Sequence, residues 1–280
     1  MKYVLRFLVA LGKIAVLTIL TQVGGLVYIL YLPLRRFLKK RFTKQAPQLL
    51  YRWASFSLLY ILVIGFIVPP IARQFGRVPL PWWSSTTQPI KAHNILVSPL
   101  LNRHYVKPEL KNIVLEIAQQ MQSEHEQLTL TYLDANFPFH DGFPLLPHLS
   151  HDDGEKLDIA FIYKYNDTGG IAPRNYGFLG YGRCDGPQDG EWDFPASCRK
   201  KGKWLYDGMA LLQPQKTNGN LQADPLLNKM LLNLLSRKRG IRRIFLEPHL
   251  ELRWLGRDID KIRPAGCHAV RHDDHIHVQL

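Results

Sequence analysis

Residues 147–164 read PHLSHDDGEKLDIAFIYK, a cluster of histidines and aspartates running directly into an apolar, β-prone segment. Residues 155–164 have the composition of a half-buried strand, and Asp158 falls inside it. Gly154 allows a tight turn just before that strand, so His151 and Asp158 can converge although seven positions separate them. A second such segment closes the chain. In RHDDHIHVQL (residues 271–280), strand alternation puts Asp273, His275 and His277 on one face and Ile276 and Val278 on the other. The apolar face can enter a core while two imidazoles are presented together.

Between and before these segments the pattern predicts a domain at residues 108–280. Pro108-Glu109 opens a helix whose Leu110, Ile113, Val114, Ile117 and Met121 share one face. Leu128, Leu130 and Tyr132 alternate with polar partners in a strand at residues 127–134. Asp224-Pro225 caps a second helix, expected to run to about Arg239 and stop at Gly240, and a further strand follows at 241–246. Strands and helices lacking regular βαβ spacing predict an α+β class, a small antiparallel sheet flanked by helices. Residues 78–107 read as a connector.

The first 80 residues hold 12 Lys/Arg and no Asp or Glu, so nearly the whole net charge of +13 sits there. Two uncharged runs, residues 14–34 and 53–72, are long enough to cross a bilayer, and neither has the polar stripe of an amphipathic core helix. Pro69-Pro70 is expected to end the second. The loop at 35–52 carries seven cations, which by the positive-inside rule places it in the cytoplasm and both termini outside. The charge then reads as contact with anionic lipid. A nucleic-acid partner is excluded, because the remaining 200 residues are nearly neutral and offer no basic patch.

Residues 166–203 contain eight glycines and little periodicity, which reads either as a substrate-binding loop or as a surface insertion. Cys184 and Cys198 lie within it and can bridge on the outer side of a membrane, leaving Cys267 over; three cysteines leave the pairing open.

A catalytic zinc takes three protein ligands from His and Asp/Glu and leaves one position for water, and the two His/Asp clusters supply such a set. Their order, His151 to Asp158 and far downstream His275 to His277, resembles the metallopeptidase superfamily of lysostaphin-type endopeptidases, D-alanyl-D-alanine peptidases and hedgehog domains. The likeness is greatest to penicillin-insensitive murein endopeptidases, whose His-x-Ser-His start is similar to residues 148–151 and whose His-x-x-His-x-His end is similar to residues 272–277. It covers about 130 residues, of which only the two motif blocks align, and the membrane hairpin lies outside the family pattern.

The resemblance implies that His151, Asp158 and His277 bind Zn2+, that His275 acts as base or transition-state stabiliser, and that His148 and His272 are further active-site histidines. Asp274 occupies the position of the acidic base of D-alanyl-D-alanine dipeptidases and is the alternative base. Asp152, Asp153 and Asp273 are candidates to orient the ligand rings. The implied activity is hydrolysis of peptidoglycan amide bonds at D-amino-acid cross-links by an enzyme of the bacterial inner membrane, its catalytic domain on the periplasmic or extracellular side. The alternatives are a D,D-carboxypeptidase or dipeptidase, with Arg174, Arg183 or Arg271 receiving a terminal carboxylate, and a zinc-containing wall-binding module without activity.

Overall fold

A computed structural model describes residues 1–41, 45–173, 175–203 and 220–280. Lys44 and Arg174 lie outside the described residues.

The apolar run at 14–34 does not form one helix. It is divided between α1 (Lys2–Thr21) and α2 (Gly24–Arg41), which fold back on each other at Gln22-Val23. The reversal follows from local chemistry. The Thr21 hydroxyl accepts from Gly24 N–H at 2.8 Å, and Gly25 packs so closely on α1 that a Cβ would lie 2.0 Å from Thr18 Oγ1 and 2.7 Å from the Ile14 carbonyl. Helix α3 (Gln45–Leu62) returns along α2, with Tyr31 Oη donating to the Arg52 carbonyl at 2.8 Å and the Tyr31 and Phe56 rings 5.4 Å apart. A π-turn at Val63–Ile67 joins α3 to α4 (Val68–Gln74). Pro69-Pro70 therefore does not end the rod; these residues sit in the first turn of α4, where their missing N–H groups are tolerated and the wider π-turn relieves the ladder.

Two of these helical stretches, Tyr3–Thr21 and Pro47–Gln74, are long and apolar enough to cross a membrane. The number of candidate spans matches the two expected, but α2 folds back between them, so the start of α1 lies at the same end of the bundle as the end of α2 and the start of α3. Beyond α4 the chain is held to the domain by Arg77. It is buried and bonds the Phe137 and Asp152 carbonyls and the Asp141 carboxylate, tying the end of the bundle to the domain.

The domain is a mixed α/β unit whose six-stranded sheet is larger than the antiparallel one expected. Its order is β2-β4-β5-β10-β8-β9, from β2 (Ile90–Ala92), β4 (Leu130–Tyr132), β5 (Lys156–Ala160), β8 (Arg243–Phe245), β9 (Ile262–Arg263) and β10 (His275–Gln279). The four inner strands pair antiparallel, while β2 and β9 add parallel edges. Residues 78–107 are thus more than a connector: they supply an edge strand and the buried Leu80, Ile90, Ala92 and Val106. Outside the main sheet, β1 (Val78–Pro79) pairs with β3 (Tyr105–Val106), and β6 (Tyr163–Tyr165) pairs with β7 (Leu221–Ala223). A short α5 (Val97–Leu100) precedes β3.

One face of the sheet is apolar. Leu157 and Ile159 of β5, Ile244 of β8 and Ile276 and Val278 of β10 meet α6 (Pro108–Glu124) and α8 (Pro225–Arg237), which bury Leu110, Val114, Ile117 and Met121 and Leu227, Leu231 and Leu235. The predicted cap of α8 is present, Asp224 Oδ1 accepting from Leu226 and Leu227 N–H. Helix α7 (Phe194–Lys200) lies in the glycine-rich stretch, and α9 (Pro248–Leu255) follows β8. The disulfide joins Cys198 of α7 to Cys267, not to Cys184. Cys184 packs instead beside Asp273.

Candidate metal centre

The opposite face of the sheet carries the polar residues. In the β5–β10 ladder His277 pairs with Asp158 and His275 with Ala160, so alternation puts Asp158, His275 and His277 on the face away from the helices. His151 reaches this face through the turn at Gly154, whose φ of +81° is open to glycine. A Cβ there would also press on the Arg77 guanidinium, 3.1 Å away. Arg77 thereby braces the turn that delivers His151.

All six residues singled out in the two motifs converge. His151 Nε2 lies 3.2 Å from Asp158 Oδ1 and 3.1 Å from His277 Nδ1, and His277 Nδ1 lies 2.8 Å from Asp158 Oδ1. His148 Nδ1 stands 3.0 Å from the other oxygen, Asp158 Oδ2, and His275 Nε2 is 3.6 Å from Oδ1. The His272 ring centre is 4.8 Å from that of His275 and 5.7 Å from that of His277. Every one of the six is buried. His148, His151 and Asp158 alone offer three ligand atoms within 4.8 Å of one another, so this buried group can hold a metal ion. His148 therefore stands nearer the centre than the motif reading gave it.

Hydrogen bonding orients the donors. His151 Nδ1 lies 2.7 Å from the Ala135 carbonyl, which fixes the proton on Nδ1 and leaves the Nε2 lone pair facing Asp158. In this tautomer two acceptor atoms face each other at 3.2 Å, an arrangement that a proton or a metal ion would stabilise. Ligands about 2.0–2.1 Å from a tetrahedral ion lie roughly 3.3 Å apart, close to the spacings of His151, Asp158 and His277. Among the described residues, His275 Nε2, His277 Nε2 and His272 Nδ1 have no hydrogen-bond partner although buried. The donor set thus fits a metal ion.

Electrostatics follow the same geometry. Burial alone would raise the Asp158 pKa, but His151 and His275 and the hydrogen bonds from His148 and His151 hold it well below the usual carboxylate range. Against the desolvation of its own burial, Asp158 raises His151. Burial would likewise lower His275, yet Asp274 and Asp158 push it up to about 9. His277 is brought down by burial to about 4 despite its bond to Asp158. Burial and the neighbouring imidazoles hold His272 far below its ordinary value.

The candidate orienting aspartates pair with cations instead, and Asp274 takes their place. Asp152 and Asp153 pair with Lys156 near the surface, and Asp273 pairs with Arg271. Asp274 is the residue that holds a ring: its carboxylate bonds His275 Nδ1 and the Gly182 N–H, which occupies it as an orienting group. Arg271 is thereby committed to Asp273, and Arg183 lies over the Tyr176 ring.

Three further residues had no signal in the motifs. Tyr181, from the glycine-rich stretch, is buried with its Oη 2.7 Å from Asp158 Oδ2 and 3.2 Å from Asp134 Oδ2. Asp134 is clasped by Arg103 through two bonds of 2.7 Å. Burial would raise Asp134, but Arg103 keeps it low. Glu247 exchanges bonds with the backbone of His272, and burial, aided by Asp273, lifts its pKa to about 7. A cavity of about 130 Å³ opens beside His148 and Tyr181, walled by Leu101, Leu133, Leu179 and Arg103.

Compared with models of known protein families and with curated proteins, the chain finds no match.

Proposed function

We propose that the chain is a membrane-anchored zinc peptidase that hydrolyses amide bonds of peptidoglycan peptides, acting as an endopeptidase on D-amino-acid cross-links. The observation that carries this reading is the close approach of His151 Nε2, Asp158 Oδ1 and His277 Nδ1, with the His151 tautomer pinned by Ala135. These three would hold the ion, with His148 at the second Asp158 oxygen. Bound there, zinc lowers the pKa of water toward about 7 and polarises an amide carbonyl. His275, held by Asp274 and with Nε2 otherwise unpartnered, is placed to take a proton from the attacking water and pass it to the leaving amine. Tyr181 and Arg103 fix the carboxylates from the side of the cavity, where the substrate would enter.

Anchor and compartment support the same reading. Residues of α1 and α3 such as Leu5, Phe7, Leu8, Trp53 and Leu58 expose apolar surface that a bilayer would cover. With the basic end of the bundle in the cytoplasm, the domain faces outward, where the Cys198–Cys267 disulfide is stable.

The test is digestion of purified peptidoglycan by the full chain in detergent, with zinc, with chelator and with His277→Ala, followed by mass analysis of the released fragments. Zinc-dependent loss of cross-linked dimers, absent in the variant, is the expected result. Release of terminal D-amino acids from monomers alone would transfer the reading to a carboxypeptidase, and tight zinc with no turnover to a wall-binding module.

A further inference from the structure

The bundle holds a second site, far from the histidines. A cavity of about 470 Å³ lies between α1, α2 and α3 toward the end remote from the domain, within the size range of small-ligand sites. Five cations line it: Arg6 and Lys13 from α1, Arg35 and Lys39 from α2, and Arg52 from α3. No carboxylate is available locally, since residues 1–80 contain neither Asp nor Glu. Charges so gathered repel one another and are stabilised by an external anion. Arg35 is half-buried and aimed by a bond from its Nη1 to Tyr28 Oη at 3.1 Å, and Arg52 is half-buried opposite it. Two guanidinium groups present planar forks matched to phosphate oxygens.

The α1 wall also carries Leu5, Val9 and Ala10 beside the cations, so a charged headgroup and an adjoining hydrocarbon chain are both accommodated. Lys13 lies within the stretch Tyr3–Thr21 that is apolar enough to span a membrane, at a depth where a lone ammonium is costly without a partner. We infer that this cavity binds a phosphodiester anion, supplied by the headgroup of an anionic phospholipid in the leaflet at that end of the bundle. The inference does not depend on the peptidase reading.

The experiment is native mass spectrometry of the full chain in zwitterionic detergent, titrated with phosphatidylglycerol or phosphatidylcholine of identical acyl chains. One phosphatidylglycerol should be retained with roughly tenfold preference. Arg35→Gln with Arg52→Gln should abolish the preference, whereas Arg36→Gln with Lys40→Gln, cations of the same helix outside the cavity, should preserve it. Arg6→Gln with Lys39→Gln changes only exposed side chains and should also weaken retention, which separates lost binding from lost folding. Glycerophosphoglycerol and inorganic phosphate serve as soluble competitors: failure to displace the lipid at millimolar concentration supports the membrane source, and displacement assigns the site to a free phosphate and overturns the lipid assignment. Equal retention of both lipids, or equal loss in the cavity and control variants, overturns the site.

Discussion

His277 stands directly across from Asp158 in the β5–β10 ladder, with its Nδ1 2.8 Å from Asp158 Oδ1. Two residues 119 positions apart are thus set by backbone register, not by loop conformation. A slip of β10 by one residue would turn His275 and His277 into the helix-packed core and leave Asp158 without them. The apolar backing of Ile276 and Val278 on one side and Ile159 and Leu157 on the other therefore fixes the candidate metal centre as firmly as it fixes the sheet.

Asp158→Asn follows as the sharpest test of the centre. The substitution keeps the shape but removes the negative charge that His148, His151, His275 and His277 share. Bound zinc should fall from about one equivalent to less than about a tenth, and the folded state should lose roughly 3 kcal/mol, the order expected when one partner of a buried charge set is removed. Metal analysis with denaturant titration measures both. A variant retaining a full equivalent of zinc contradicts the assignment of Asp158.

The distribution of what could be read beforehand follows from physics. The convergence of the candidate residues was legible because β10 obeys strict alternation and because glycine at 154 marks the turn ahead of Asp158. Tyr181 was not, since the stretch around it has no period and its partners lie far off in sequence, Asp134 just after β4 and Asp158 in β5. Edge strands β2 and β9, three and two residues long, are too short to carry a pattern and exist through pairing. The α1–α2 reversal was hidden because both helices are apolar without a charged turn; the signal was Gly24-Gly25, where only the absence of side chains lets the helices touch. Cys184 was the nearer partner in sequence for Cys198, but tertiary packing brings Cys267 to it.

Tyr181→Phe should separate orientation from ligation. The hydroxyl donates to Asp158 Oδ2, and its loss leaves a buried carboxylate oxygen with one bond fewer. Zinc affinity should drop by about 10-fold to 100-fold, with the domain folded and the stoichiometry at saturation unchanged. Competition with a chelator of known affinity reads the change. Unaltered affinity would reduce Tyr181 to packing.

The metal-free protein should be most stable near pH 6.5. His275 is raised to about 9, so its contribution is complete below the unfolded value of 6.5 and disappears as pH climbs through 9, a loss of roughly 3 kcal/mol. His277 is lowered to about 4, so the folded state resists its protonation, and a similar amount is lost as pH falls from 6.5 to 4. Asp158, held well below 3.8, adds a further loss in stronger acid. Denaturant midpoints of the chelated chain across pH 4–9.5 should trace this maximum. A bound divalent cation disfavours protonated His275 and should flatten the alkaline limb. A flat metal-free profile would contradict the two opposed histidine shifts.

The Cys198–Cys267 disulfide closes a loop of about 70 residues that includes α8, β8 and α9, and the chain-entropy relation puts its stabilisation at about 4 kcal/mol. Cys198→Ser with Cys267→Ser should lower the denaturation midpoint accordingly, as should reduction of the native chain. Cys184→Ser should leave the disulfide intact, because Cys184 is not part of the bridge; burial and Asp273 also raise its thiol pKa, which slows its reaction with alkylating reagents. Mass mapping of peptides under non-reducing conditions identifies the bridge directly. A bridge between Cys184 and Cys198 would require Asp273 to lose its neighbour and would overturn the packing of α7 against residue 267.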